Sequence, residues 1–313
     1  MNRAIVVVTF AVFVVVAVTI WPLMSTTAAF ACFGAAHVIV ELRYIAARFQ
    51  ARVPWRAWWQ LGAVLLAIVV VRSAVPAGLL SSSTAATLEL VLASAALAIG
   101  VHLGWRDRSR AVVGTAGVVA IVVGACAFPL HTLLLLSVLH NLTPIGFVVE
   151  RAAPGRQART LLAASLVMCG VPLLVASGLP LQLWAEHVDV VAAWPSSPAL
   201  YEAYAVWLTP SMFDAPNALP LFSAAVSAQL LHYGAVLWWL PREARRTGES
   251  WSAPTSLVVV VAATIVLLAV AFAIDFRSAR VVYGLLAAVH AWIELPVLLI
   301  AFTAWSRPTT DPA

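Results

Sequence analysis

Long apolar runs alternate with short polar breaks along this chain, and the runs have membrane-spanning length. A helix needs about 20 mostly apolar residues to cross the hydrocarbon core of a bilayer. The pattern predicts spans at 4–24, 27–47, 57–79, 84–104, 111–128, 130–150, 160–180, 217–241, 254–275 and 279–305. The expected fold is all-α: a polytopic integral membrane helical bundle of about ten transmembrane helices, with 1–313 as a single domain. The first run, Ala4 to Leu23, is too long for a typical signal-peptide core and no clear small-x-small cleavage site ends it. It is therefore read as a span.

The polar breaks carry a charge pattern. Arg48, Arg52 and Arg56 follow the second span, Arg106, Arg108 and Arg110 the fourth, and Arg151, Arg156 and Arg159 the sixth. Arg242, Arg245 and Arg246 follow the eighth, Arg307 follows the tenth, and Arg3 precedes the first. Every even-numbered loop is basic, so the positive-inside rule puts both termini in the cytoplasm. Arg277 and Arg280 are the only departure. The long outer loop, 181–216, holds Glu186, Asp189, Glu202 and Asp214 and no basic residue. It also holds Trp184, Trp194, Tyr204 and Trp207. Its stretch Ala199 to Leu208 is expected as a short interfacial helix, either capping a substrate entrance or forming part of an aromatic belt.

Composition agrees. Hydrophobic residues make up 63% of the chain and charged residues 10%, against about 25% charged in a soluble domain. The net charge of +5 is accounted for by the loop arginines, so no nucleic-acid partner is expected. All 18 basic residues are Arg. Without lysine there is no retinal Schiff base and no pyridoxal-phosphate site. Cys32, Cys126 and Cys169 are too scattered for a redox or haem-attachment motif and read as small buried hydrophobes. The expected location is a cell membrane, in a prokaryote the inner one.

Ionisable groups inside spans are costly and usually functional. Of seven histidines, His102, His131 and His187 fall at helix ends or in the outer loop. His37, His140, His232 and His290 fall inside spans 2, 6, 8 and 10, which all run from outside to inside. His37, His140 and His290 lie about 10 residues from the outer end, roughly 15 Å deep and near the midplane; His232 is about one turn deeper. Two acids lie deep in a span, and each follows a histidine by four residues: His37-x3-Glu41 and His290-x3-Glu294. Residues at i and i+4 share a helix face, and metal sites in bundles are built from such pairs on facing helices. The candidate ligands are His37, Glu41, His140, His232, His290 and Glu294. Imidazole with carboxylate suits iron, manganese or zinc, as two ions or as one ion with supporting carboxylates. Tyr44, Asn141, Gln229, Tyr233 and Tyr283 are candidates to orient ligands or substrate. Pro144, one turn after His140, frees backbone carbonyls. Arg72 and Glu89 are expected to pair structurally across the span 3–4 hairpin, and Arg43 to snorkel to the cytoplasmic face. Two other uses of the histidines stay open: ligation of b-type haem for electron transfer or haem modification, and a proton relay in a transporter.

The four histidine segments resemble the membrane-bound bacterial and archaeal β-carotene cleavage oxygenases, the bacteriorhodopsin-related-protein-like family. Gly34-Ala-Ala-His37-Val-Ile-Val-Glu41 is similar to that family's Pro-His-Gly-x-x-Asp, with Glu for Asp. Ser137-Val-Leu-His140 looks like its Ser-x-x-His, and His232 like its late-span histidine. Gly284-Leu-Leu-Ala-Ala-Val-His290, leading to Glu294, is similar to its last motif. The order fits over nearly the whole chain. Asn141-Leu-Thr-Pro144 stands where the family has an acid, and Tyr233-Gly-Ala-Val where it has a further histidine. The resemblance implies histidine-bound non-haem iron, O2 as co-substrate and oxidative cleavage of a polyene in the bilayer. The expectation is a metal-dependent oxygenase (a dioxygenase-like oxidoreductase) acting on a lipophilic substrate such as a carotenoid, another isoprenoid or a lipid. Catalysis is expected at His37, His140, His232 and His290.

Overall fold

The computed structural model describes residues 3–104, 108–152, 155–189, 200–242 and 255–305, all of them helix or connection. Arg106, Trp194, Arg245, Arg246 and Arg307 lie outside the described residues. The helices are α1 (Arg3–Ile20), α2 (Pro22–Phe49), α3 (Trp55–Ala74), α4 (Ser82–Gly104), α5 (Arg108–Ala127) and α6 (Pro129–Glu150). They continue as α7 (Gln157–Ala176), the short α8 (Leu179–Leu183) and α9 (Leu200–Tyr204), then α10 (Ala218–Arg242), α11 (Thr255–Ile274) and α12 (Phe276–Trp305). Ten of these coincide with the ten runs read from the sequence. Eight are long and apolar enough to cross a membrane, and α1 and α5 contain shorter apolar stretches, Ile5–Ile20 and Ala111–Ala127.

The surface explains why so apolar a chain folds this way. In α11 only Leu268 and Phe272 are buried, while Val258, Val259, Val266, Leu267 and Val270 are exposed. Residues of this kind on the outside require a lipid solvent. Serine and threonine inside the helices do not break them, because their hydroxyls donate to carbonyls one turn back: Thr26 to Pro22, Thr27 to Leu23, Ser94 to Leu90.

Two sharp bends are made almost without loops. At Trp21–Pro22 the proline supplies no N–H and disfavours helical backbone at the residue before it. Ser25 Oγ then donates to the Ala17 carbonyl, 2.9 Å away and eight residues back. At Phe128–Pro129 the chain turns the same way, and a Cβ on Gly124 would meet Thr132 Oγ1 at 2.4 Å. Only hydrogen fits there. Asp275 separates α11 from α12 and caps the latter, accepting hydrogen bonds from the backbone N–H groups of Arg277 and Ser278 and from the Ser278 hydroxyl.

Contacts divide the chain into two compact units. One comprises Met1–Val40 and Val138–Tyr283, the other Glu41–Ser137 and Gly284–Ala313. In the first, α10 packs on α1, on the start of α2 and on Gly170–Ala176 of α7, while α11 packs along Ala29–Gly34 of α2. The stretch expected as a short interfacial helix is helical over Leu200–Tyr204; Ala203, Tyr204, Trp207 and Leu208 are buried, and the Tyr204 ring lies 5.2 Å from Phe222 and 5.9 Å from Phe213. In the second unit α3, α4 and α5 pack in sequence. Arg72 makes the expected pair with Glu89, two bonds of 2.7 and 2.8 Å. Trp292 Nε1 also donates to Glu89, at 2.7 Å, and Arg72 Nη1 donates to the Gly284 carbonyl. Glu89 is only 2% exposed, so the chain buries a third acid besides the two recognised in the sequence. The cysteines are not core residues: Cys126 is exposed, and Cys32 and Cys169 are half-buried.

Candidate metal centre

The four candidate histidines sit about three to four turns from the start of their helices and the two candidate glutamates about five, and each histidine of the first unit sits beside an irregularity. In α2 a π-helical segment, Ala29–Gly34, ends three residues before His37. In α10 a second π segment, Ala235–Trp239, begins three residues after His232. In α6 the helix breaks at Asn141–Leu142, directly after His140. Pro144 contributes no N–H, and the His140 carbonyl it would have bonded accepts from the Thr143 hydroxyl at 2.7 Å. A π segment inserts a residue into the helical register and turns the following side chains by about 100°, and such bulges are frequent at functional sites. Here they set the direction of His37 relative to the upstream turns of α2, and of the α10 residues after His232.

The first unit brings three imidazoles together from three helices. The His37 and His232 rings are 5.3 Å apart between centroids and nearly perpendicular, at 87°. The His140 and His232 rings are 4.8 Å apart at 45°. Ligand nitrogens of His37 and His232, and of His140 and His232, lie within 4.8 Å of each other. His37 and His232 are fully buried and His140 is partly buried. His37 Nδ1 lies 3.3 Å from the Phe33 carbonyl. That bond takes the Nδ1 proton and leaves the Nε2 lone pair for a ligand, the usual arrangement of a metal-binding histidine.

An aromatic wall backs this cluster. The Tyr233 ring stacks on His37 at 4.1 Å. Its hydroxyl accepts from Gln229 Nε2 at 2.6 Å and shares a 2.8 Å hydrogen bond with the Tyr283 hydroxyl. Tyr283 is held by Phe30, 5.1 Å away, and by Gly34, whose missing side chain admits the ring: a Cβ there would meet Tyr283 Cε2 at 2.7 Å. Gln229, Tyr233 and Tyr283 are thus hydrogen-bonded in a row, with the Tyr233 ring against His37. Of the other two, Tyr44 packs edge-on against Phe49, and the Asn141 side-chain amide faces the Val138 carbonyl at the α6 break.

The second unit holds the remaining candidates. His290 Nε2 lies 3.8 Å from Glu294 Oε1, one turn along α12. Ligand atoms of Glu41 and His290 lie within 4.8 Å of each other. All three residues are buried. Pro296 stands inside α12 two residues after Glu294. Glu41 and His37 are at i+4 and i on the unbroken α-helical part of α2, Ala35–Phe49, and share its face. Histidine and glutamate side chains grouped this closely could hold a metal ion. The three histidines set aside in the sequence, His102, His131 and His187, are all exposed.

A scan against protein-family models, a search of curated proteins and a search of solved structures each found no match for this chain.

Proposed function

We propose that this chain is a membrane-embedded non-haem metal protein, and that the metal serves oxidation of a lipophilic substrate such as a carotenoid, another isoprenoid or a lipid. The observation that carries the reading is the cluster of His37, His140 and His232, three imidazoles from three helices inside an apolar bundle. Histidine and carboxylate donors without thiolate suit iron, with manganese and zinc as the competing ions. Bound iron would supply activation of O2. The chain's own residues do the rest. His37, His140 and His232 bind through neutral imidazole nitrogens, and the Phe33 carbonyl and the Tyr233 ring fix the orientation of His37. Glu41 and Glu294, each within ligand reach of His290, supply carboxylates as ligands or as acceptors that orient a ligand. The surrounding apolar helices exclude water and admit a hydrocarbon substrate. Ten spans with both termini in the cytoplasm complete the proposal.

The test is elemental analysis of purified wild type, His232→Ala, His290→Ala and His187→Ala. Stoichiometric iron, manganese or zinc in wild type and in His187→Ala is expected, with at least half of it lost in His232→Ala and in His290→Ala. Wild type free of metal would sink the proposal. A Soret absorption band would do the same, by making the histidines haem ligands.

A further inference from the structure

A second binding feature lies apart from the metal ligands. In the first unit α1, α7 and α10 enclose a groove of about 230 Å³ lined by Val6, Phe10, Met168, Leu231, Trp238 and Trp239, among others, with no charged or hydroxyl side chain in its lining. The lining residues of α10 recur at 231, 234, 235, 238 and 239, one stripe of the helix, and none of the candidate metal ligands is among them. Gly234 lets α1 approach: a Cβ there would meet the Phe10 ring at 2.5 Å. Gly234 and three residues of the π segment that follows it, Ala235, Trp238 and Trp239, thus form the α10 side of the groove.

One end of the groove is charged. The Arg242 guanidinium sits 4.0 Å over the Trp238 ring, and Trp238 is itself a wall of the groove. Arg242 is exposed and closes α10. In sequence it opens the run Arg242-Glu-Ala-Arg245-Arg246, which carries three cations and one acid. An apolar slot ending at a cation fits a hydrocarbon chain with an anionic head. Juxtamembrane arginines attract anionic lipid at about 1 kcal/mol each, and stacking on Trp238 holds this guanidinium in a fixed place.

We propose that this groove binds an anionic phospholipid, one acyl chain lying along Leu231, Gly234 and Trp238 and the headgroup phosphate against Arg242. The site stands independently of the metal.

The test uses the full chain in nanodiscs containing phosphatidylglycerol or phosphatidylcholine with brominated acyl chains, which quench nearby tryptophan. The chain has 13 Trp, so the signal of interest is the difference between wild type and Trp238→Phe/Trp239→Phe. That difference is expected to be quenched at about fivefold lower mole fraction of phosphatidylglycerol than of phosphatidylcholine, the factor that one juxtamembrane arginine supplies. Arg242→Gln should abolish the preference and Arg242→Lys should keep most of it. Metal content should be unchanged in both. Lipid extracted from purified wild type and Arg242→Gln gives a readout that does not depend on the tryptophan variants: the anionic fraction should fall in the variant. Equal quenching by the two lipids, or an undiminished preference in Arg242→Gln, would overturn the proposal.

Discussion

At the scale of single residues, the protein spends its few polar side chains on fixed geometry. The Tyr233 hydroxyl is held from both sides, by Gln229 and by Tyr283, so the ring that stacks on His37 cannot swing. Tyr283→Phe removes one of these bonds and leaves Tyr233 bonded to Gln229. The expected cost is about 1 kcal/mol, read as a lower unfolding temperature in detergent, with metal content retained. A larger effect is expected at Glu89, where the bidentate Arg72 and the indole of Trp292 converge on one buried carboxylate. Arg72→Met strands that carboxylate. Removing one partner of a buried ion pair costs roughly 3 kcal/mol or more, so the variant should be strongly destabilised or fail to accumulate. Glu89→Gln/Arg72→Met should recover part of the loss, because it removes the stranded charge; no recovery would mean that packing rather than charge holds the position. The Arg72–Glu89 pair was legible in the sequence because both lie near the ends of adjacent hairpin spans. Trp292 was not, because nothing local ties an indole on α12 to an acid 203 positions earlier.

At the scale of elements, the helices were legible and their irregularities were not. Hydropathy locates α1–α7 and α10–α12 to within a few residues, since each contains a long apolar run. A π segment demands no particular residue: Ala-Phe-Ala-Cys-Phe-Gly at 29–34 and Ala-Val-Leu-Trp-Trp at 235–239 share no signature. Only the α6 break announced itself, through Pro144. The four in-span histidines and their i+4 acids could be found because charge in an apolar run is conspicuous; the stacking of Tyr233 on His37 depends on packing and could not. Close packing within an element pair gives a sharper prediction. A Cβ on Gly100 of α4 would meet the backbone and ring of Pro296 at 2.8 Å, whereas a Cβ on Gly62 of α3 meets nothing within 4 Å. Gly100→Ala should therefore cost about 1–3 kcal/mol by overpacking. Gly62→Ala should be neutral or stabilising by up to about 1 kcal/mol, since alanine is the better helix former. Chemical denaturation of the two variants checks the contrast, and equal effects would show that α4 and α12 are not in contact at Pro296.

At the scale of the whole molecule, the open question is topology, because α1 and α5 carry the shortest apolar stretches. Each is followed by a sharp bend at a proline and then by a longer helix, so if α1 crosses the bilayer the chain must return through α2, and after α5 likewise through α6. Sidedness separates the two cases. Ser81 and Phe128 are exposed ahead of α4 and ahead of α6. If both α4 and α5 span, the two positions face the same side; if α5 does not span, they face opposite sides. Likewise, a tag ahead of Met1 and a cysteine at Ala51, after α2, share a side only if α1 spans. In a background lacking Cys32, Cys126 and Cys169, a membrane-impermeant maleimide applied to intact cells should label Ser81→Cys and Phe128→Cys, and should leave Ala51→Cys and an N-terminal cysteine unlabelled until the cells are opened. That result requires both α1 and α5 to cross along with α2, α3 and α4, which makes ten crossings once the five long helices after them are added, and it puts the arginines at 48, 52 and 56 in the cytoplasm, as their charge demands. Labelling of Phe128→Cys only after opening would remove α5 from the count. The segments after it would then have to invert, leaving the arginines at 151, 156 and 159 on the outer face against the charge rule.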